Sequence, residues 1–472
     1  MDSSLSDSML VLLSVTSSAT FYFVVKLVST AQSRAPLLGA VFIFSSMISR
    51  TATFQGFVMR AFLSASLRRG RSGFLSSSPL SDTENTPQFT ALADISRTEL
   101  LEALVSLRDY AANSKGSNER RRRLFKLMSW RQQKLCDQAG YSDKVSLIDS
   151  HTDKNQRLFD AIVHATDSAY GLTYKHYDSL KSGQSVSQNT SSSNYRVIES
   201  LGHFVRDWSP EGEAEIAPML RYITAQLDKI VSPENAEKTC VVIPGSGLGR
   251  VAHEVAKHGN YGAVHAVEFS GLMHACNRFL YEPCEAKDHK IYPHIHKTSN
   301  FLTTKAQFRE TAIPAGLPQP ENLHLHLDDF RYFSIPNKEK YDNVVLVSAF
   351  FIDTAQNILD YFDQINQLTA PSKKSSVKNG YWINFGPLKY GSAAQAELNA
   401  SEIEHIRKNM GWVDHHRLNT IEDPNAEFSQ SSVPGSGLSG YITDKQSLWQ
   451  GYYGISMWAS GHKSNQAQIR KK

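Results

Sequence analysis

CVVIPGSGLGR, residues 240–250, runs an apolar stretch into a proline and a G-x-G-x-G turn, and it decides how the remainder of the chain is read. Cys240 to Ile243 has the character of a strand buried on both faces, and a helical stretch from Val251 to Lys257 follows it. Glycines at the carboxyl end of a first strand let the main chain turn tightly and bring its N–H groups to a ligand, in the crevice where open α/β sheets bind nucleotides. Gly245, Gly247 and Gly249 set the spacing, while Arg250 stands where a dinucleotide fold has its third glycine. A pyrophosphate is therefore not the obvious ligand, and this counts against a nucleotide-dependent oxidoreductase.

Beyond this loop, short apolar runs alternate with helical stretches, the pattern of a parallel α/β sheet. Candidate strands are Cys240 to Ile243, Ala263 to Glu268, Leu323 to Asp328, Asn343 to Phe350 and Tyr381 to Phe385. Two later runs, Trp412 to Arg417 and Tyr452 to Ala459, are expected to pair as an antiparallel edge hairpin. Glu268 closes the second strand, where a carboxylate can accept hydrogen bonds from both hydroxyls of a ribose. Asp328-Asp329-Phe330 closes the next one, offering a carboxylate to an adenine amino group and a ring to its face. Three nucleoside contacts thus fall at successive strand ends.

Upstream, Leu92 to about Tyr177 carries apolar residues at helical spacing, as in Leu100, Leu101, Leu104 and Leu107. The run Arg120 to Arg123 reads as a solvated helix face, and Ser182 to Asn194 as a flexible polar loop. The first eighty residues differ in kind: no Asp or Glu occurs between Asp7 and Asp82, whereas Arg34, Arg50, Arg60, Arg68, Arg69 and Arg71 do. Apolar stretches from Met9 to Val25 and Ala35 to Ile48 fall short of the roughly 20 residues that span a bilayer. This favours a cleavable targeting segment that delivers the chain to an organelle, with a membrane anchor or a cytoplasmic location as the alternatives. The expected divisions are 1–87 as targeting or poorly ordered segment, 88–235 as a helical region and 236–472 as the sheet domain.

Composition narrows the partners. With 50 basic against 46 acidic residues in a chain of 472, the net charge of +4 gives no reason to expect nucleic acid, and a small molecule is the expected ligand. Cys136, Cys240, Cys276 and Cys284 form no C-x-x-C pair and are read as reduced thiols, most of them buried. Histidine pairs at 294/296, 324/326 and 415/416 lack a third ligand at convincing spacing, so no metal is expected.

Several blocks resemble the carnosine N-methyltransferase family: HFVRDWS at 203–209, VIPGSGLGRVAHEVA at 242–256, IYPHIHKTSN at 291–300, FFIDTAQN at 350–357 and WINFGPLKY at 382–390. The resemblance implies a Rossmann-like methyltransferase sheet, an α/β fold, with an amino-terminal helical region packed on it and S-adenosylmethionine as cofactor. It puts Arg206 on the methionine carboxylate, and makes Gly245, Glu268, Asp329, Phe330 and Ala349 cofactor positions, with Gly247 and Gly249 in the same loop. His203 replaces a family glutamine there. On the substrate side it assigns Asp353 and Tyr453 to an imidazole-containing dipeptide or similar small molecule. After GPLKY the family tends to carry histidine where this chain has Gly391, and of the family's tyrosine cluster Tyr452 and Tyr453 remain. Asp353 is the candidate catalytic carboxylate: by accepting one ring N–H it leaves the other nitrogen's lone pair for the methyl group. Its alternative role is a helix N-cap before Thr354 to Leu359. A homodimer is compatible with the sequence.

Overall fold

The computed structural model describes residues 89–182, 190–284, 286, 288–371, 376–429 and 433–466, and the segment read as a targeting sequence lies outside them. All described residues belong to one compact unit, Ser81–Lys472. Among them, no helix is long and apolar enough to cross a membrane.

The first half is helical: α1 (Asp94–Arg108), α2 (Tyr110–Lys126), α3 (Trp130–Gln138), α4 (Tyr141–Tyr170), α5 (Tyr174–Ser182), α6 (Thr190–Trp208) and α7 (Glu213–Ile230). Thr190 to Asn194, expected in a loop, begin α6 instead, because the stripe formed by Asn194, Val197, Leu201 and Phe204 extends the buried face to that end. Leu100, Leu104 and Leu107 recur on one side of α1 and are fully buried with Leu158, Phe159 and Ile162 of α4.

The second half builds β1 (Thr239–Pro244), α8 (Arg250–His258), β2 (Ala263–Glu268), α9 (Gly271–Phe279), β3 (Asp288–Ile291), α10 (Thr304–Gln307) and β4 (Thr311–Pro314). It continues with β5 (Leu323–Leu327), β6 (Asn343–Ala349), α11 (Ile358–Thr369), β7 (Asn379–Gly386), α12 (Ala400–Asn409) and β8 (Trp412–Asn419). It ends with β9 (Leu438–Gly440), β10 (Tyr452–Gly454) and β11 (Ser456–His462). One seven-stranded sheet runs in the order β5-β2-β1-β6-β7-β11-β8. Its first five strands are parallel, and β11 is antiparallel to both β7 and β8. The two late runs do pair antiparallel at the sheet's edge, as β8 with β11; the correction is that β11 is the inner member, next to β7, that β9 and β10 intervene along the chain, and that Tyr452–Gly454 leaves this sheet to pair with β9.

Side-chain alternation divides the core into two layers. Val241, Ile243, Val345 and Val347 face Ile216, Met219, Tyr222 and Ile223 of α7, while Cys240, Val242, Val344 and Leu346 face Ile358, Phe362 and Ile365 of α11. β1, β6 and β7 are buried along nearly their whole length, which is why they read as continuous apolar runs; β8, at the edge, alternates with exposed residues. The helical half docks through α9, where a Cβ on Gly271 would lie 2.5 Å from the Glu99 carbonyl oxygen of α1. Only a glycine permits that approach.

Two of the four cysteines, Cys240 and Cys276, are buried; Cys136 is half-buried and Cys284 exposed, so the expectation that most are buried is not met, and all four are free thiols.

Candidate active site

The carboxyl ends of β1, β2, β5 and β6 meet the end of α6, and the site is built there. Gly245, Gly247 and Gly249 have φ of +59°, +55° and +77°, in the left-handed region that side chains rarely adopt. A Cβ on Gly245 would sit 2.3 Å from the Phe351 ring, whereas one on Gly247 would meet nothing within 4 Å, so this turn presents bare main chain to an open face. The Gly247 N–H donates to Glu268 Oε2 and the Ser270 N–H to Oε1, each at 2.8 Å. Burial raises the Glu268 pKa, opposed by the N–H groups of Ser270, Gly247 and Phe269. Each carboxylate oxygen retains lone-pair capacity for a hydroxyl donor. Arg250 turns away from the loop. Its Nε meets Glu254 at 2.9 Å, an Nη donates to the Asp207 carbonyl at 2.9 Å, and its guanidinium lies over Trp208. The residue in the third-glycine place thus ties α8 to α6.

The last two turns of α6 supply His203 and Arg206. Arg206 is buried, pairs with Asp207 at 2.8 Å and lies 3.7 Å from Glu215 Oε2, while its Nε lacks a hydrogen-bond partner. Its guanidinium covers the rings of Tyr441 and Phe350 at 4.7 and 5.0 Å. Burial, then the neighbouring Arg206, drives the His203 pKa down to about 3, so this ring is neutral where it meets Tyr441 edge-on. The Trp208 indole N–H, donating to the Leu248 carbonyl at 2.8 Å, fastens the glycine loop to this helix.

At the end of β5, Phe330 is buried edge-on against Phe351. The Asp329 carboxylate is gripped by its near neighbour Arg331, with Nε at 3.0 Å and an Nη at 2.5 Å, a pairing the sequence reading had not foreseen. Asp328 accepts the Asp329 N–H, and burial pushes its pKa to about 6. Ala349 ends β6, and Phe350 follows at φ +52°, a strained conformation for an aromatic residue beside a cleft.

Asp353 lies in a short turn, Ile352–Thr354, and is buried. It does not cap the next helix: α11 begins at Ile358, and Asn357 accepts the Leu359 N–H. Asp353 Oδ2 instead accepts the Lys389 N–H at 2.9 Å, which anchors the loop after β7, and Lys389 Nζ reaches over the Tyr453 ring at 5.9 Å. Burial raises the Asp353 pKa against the N–H groups of Lys389 and Asp353 itself. Gly391 is exposed, with nothing within 4 Å of an added Cβ.

Tyr441 escaped the sequence reading. It stacks on Phe350 at 5.0 Å and 27°. Burial carries its hydroxyl pKa up to about 12, in the fields of Arg206, Asp207, Glu199 and Asp353. The available signal was its place beside the tyrosine pair: Gly440 and Ser439 of β9 pair with Tyr452 and Tyr453 of β10.

The histidine pairs serve the framework. His296 Nε2 lies 2.6 Å from the Tyr110 hydroxyl, His326 meets His265 of β2 at 2.9 Å, and His294 approaches Asp444 at 3.6 Å. Among the described residues no group of three ligands forms a metal site.

A central sheet with five parallel strands, one antiparallel strand inserted before the edge, and a nucleoside-type site at its carboxyl ends defines a Rossmann-like methyltransferase. Residues 184–464 match the family model described as carnosine N-methyltransferase, more than half of the chain. The protein belongs to the carnosine N-methyltransferase family and is an S-adenosylmethionine-dependent methyltransferase. The mouse carnosine N-methyltransferase is 28% identical over 373 residues, covering 76% of this chain and 84% of its own. An uncharacterized Saccharomyces cerevisiae protein, YMR209C, is 29% identical over 392 residues, 76% of this chain and 81% of its own. Among solved structures, magnesium protoporphyrin IX methyltransferase from Synechocystis aligns with 57% of this chain and 94% of its own at 9% identity and a TM-score of 0.32. The fold assignment rests on the strand order instead.

The residues present suit the cofactor. Arg206 has a buried Nε without a hydrogen-bond partner, Gly247 an open main-chain face, and Glu268 a carboxylate with spare acceptor capacity.

Proposed function

We propose that this chain transfers the methyl group of S-adenosylmethionine to an imidazole nitrogen of carnosine or a related histidine-containing small molecule. One arrangement supports the reading most: a buried carboxylate, Asp353, tied through Lys389 to Tyr453 and acting on Tyr441, which in turn stacks beneath Arg206. Tyr441 reaches the glycine loop's neighbourhood through Phe350, the residue before the Phe351 ring that Gly245 abuts.

The cofactor supplies an electrophilic sulfonium methyl. Arg206 would hold its carboxylate as a charge-assisted partner, Glu268 would accept from the ribose hydroxyls, and Phe330 would pack by the adenine. His203, Gly245, Gly247, Gly249, Asp329 and Ala349 complete that half of the site. The acceptor needs little deprotonation, because an imidazole with a reference pKa of about 6.5 is mostly neutral at pH 7. Selection of a tautomer is the larger task. Asp353 would accept the N–H of one ring nitrogen, leaving the other nitrogen's lone pair free to attack, and would stabilise the charge that develops on the ring. Tyr453 and Tyr441 confine the ring by contact and by their hydroxyls. Gly391, open around its Cα, leaves room for an acceptor bulkier than carnosine.

Turnover of methyl-labelled S-adenosylmethionine with carnosine, histidine, N-acetylhistidine and a matched dipeptide lacking imidazole tests this. Label is expected in the imidazole compounds only. Equal labelling of the imidazole-free dipeptide, or none of any imidazole, overturns the reading.

A further inference from the structure

The turn that carries Tyr441 is held in an unfavourable shape by one carboxylate from the helical half. Ile442 has φ +55°, where a β-branched side chain is seldom found. Its N–H donates to Glu215 Oε2 at 2.9 Å, and the Thr443 N–H donates to Glu215 Oε1 at 2.8 Å. The Glu215 side chain is itself largely buried, in the first turn of α7. The fit around it is close: a Cβ on Gly440 would lie 2.8 Å from Glu215 Oε1, and one on Gly202 would lie 2.7 Å from the Ile442 side chain. On the far side, Asp444 is locked to Arg309 at 2.7 Å, and the Thr443 hydroxyl donates to the Gly451 carbonyl. Glu215 Oε2 also stands 3.7 Å from Arg206 Nε, although Asp207 at 2.8 Å is the nearer partner of that guanidinium.

We propose that Glu215 is a positioning residue for methyl transfer: by accepting the Ile442 and Thr443 N–H groups it holds the strained 441–444 turn closed, with the Tyr441 ring packed against both Phe350 and Arg206 at the acceptor's place. A carboxylate suits this because two adjacent N–H groups pointing one way require two acceptor oxygens, and burial makes an unpaired N–H costly. Without it the turn relaxes toward an ordinary φ, and Tyr441 swings away from Phe350. The inference rests on the acceptor site proposed above, with Glu215 touching neither acceptor nor methyl group.

The test combines kinetics with amide hydrogen exchange over residues 438–448. Glu215→Ala is expected to raise the acceptor KM by about tenfold or more, with kcat and cofactor affinity changed less than about threefold, the split of a lost positioning contact. Exchange at Ile442 and Thr443 should accelerate. Glu215→Gln, which keeps the volume and one acceptor oxygen, should fall between. Glu215→Ala with Ile442→Gly should recover part of the KM, since glycine adopts this φ without strain. Parental KM and exchange in a folded Glu215→Ala protein overturn the proposal, as does an equal loss of cofactor and acceptor binding. If Glu215→Ala fails to fold, Glu215→Gln decides on the same two readouts. A parent enzyme inactive on every imidazole acceptor sinks the functional reading alone, and exchange then decides the role of Glu215.

Discussion

Around Gly245–Gly249 and Glu268 the cleft is made largely of main chain, whereas around Asp353 it is made of side chains from four separate stretches of sequence. The core of the cofactor end comes from two adjacent strands, β1 and β2, whose ends are stitched by the Gly247 and Ser270 N–H groups on one carboxylate, with Arg206 of α6 and Phe330 after β5 at its sides. The acceptor end gathers Asp353 after β6, Lys389 after β7, Tyr441 after β9 and Tyr453 in β10. Both backbone strains outside glycine that touch the site, Phe350 and Ile442, fall at this second end. A nucleoside can be held by a rigid main-chain cradle that any member of the fold provides. Choosing an acceptor needs adjustable side chains, and their positions must be enforced by the tertiary fold.

If that division holds, substitutions at the two ends must separate kinetically. Asp353→Asn keeps shape and removes charge, so kcat is expected to fall by about ten- to a thousand-fold while calorimetric affinity for S-adenosylmethionine stays nearly intact. Full kcat in this mutant would leave Asp353 as nothing more than the anchor of the Lys389 loop. Glu268→Ala should do the reverse, weakening cofactor binding by about 1.5–3 kcal/mol, the range for a hydrogen bond to a charged group. Calorimetry giving the parental affinity would break the comparison at its cofactor end.

A smaller effect comes from pH. The imidazole acceptor protonates below about 6.5 and loses the attacking lone pair, so acceptor kcat/KM should drop about tenfold per unit beneath that value. Asp353, with its pKa raised by burial, loses its charge sooner on acidification than an ordinary aspartate and steepens the same acid limb. His203 remains neutral down to about 3 and contributes nothing in this range, so cofactor affinity should carry no histidine inflection between pH 5.5 and 8. An inflection near 6.5 in cofactor titrations would show that His203 is more solvated than its surroundings imply. Smallest is Gly391→His. The position is open, so the side chain is accommodated without strain and should shift preference toward carnosine by a few-fold, of order 1 kcal/mol for one hydrogen bond. Unchanged acceptor ratios would place the specificity elsewhere, with Tyr441 the next candidate.

The two ends were also unequally legible. β1 and β2 were readable because strands buried on both faces are written as unbroken apolar runs, and a glycine triplet with a carboxylate at the next strand end is a local signal. The Asp329–Arg331 pairing was hidden, since a two-residue ion pair leaves no periodic trace. Tyr441 was hidden for another reason: it sits in a short turn after a three-residue strand, and its value comes from Phe350, 91 positions earlier.

By itself, then, the sequence determined the parallel sheet, the helical half before it, the glycine loop and the family, because those properties are carried by periodicity and by contiguous motifs. Only the tertiary structure decided that β11 inserts between β7 and β8, that Asp353 ties down a loop instead of capping a helix, and that Glu215 reaches Ile442 across 227 residues. Those outcomes depend on which buried N–H groups find an acceptor once the chain is compact. Hydrogen bonds between residues so far apart are selected by packing, not by spacing along the chain.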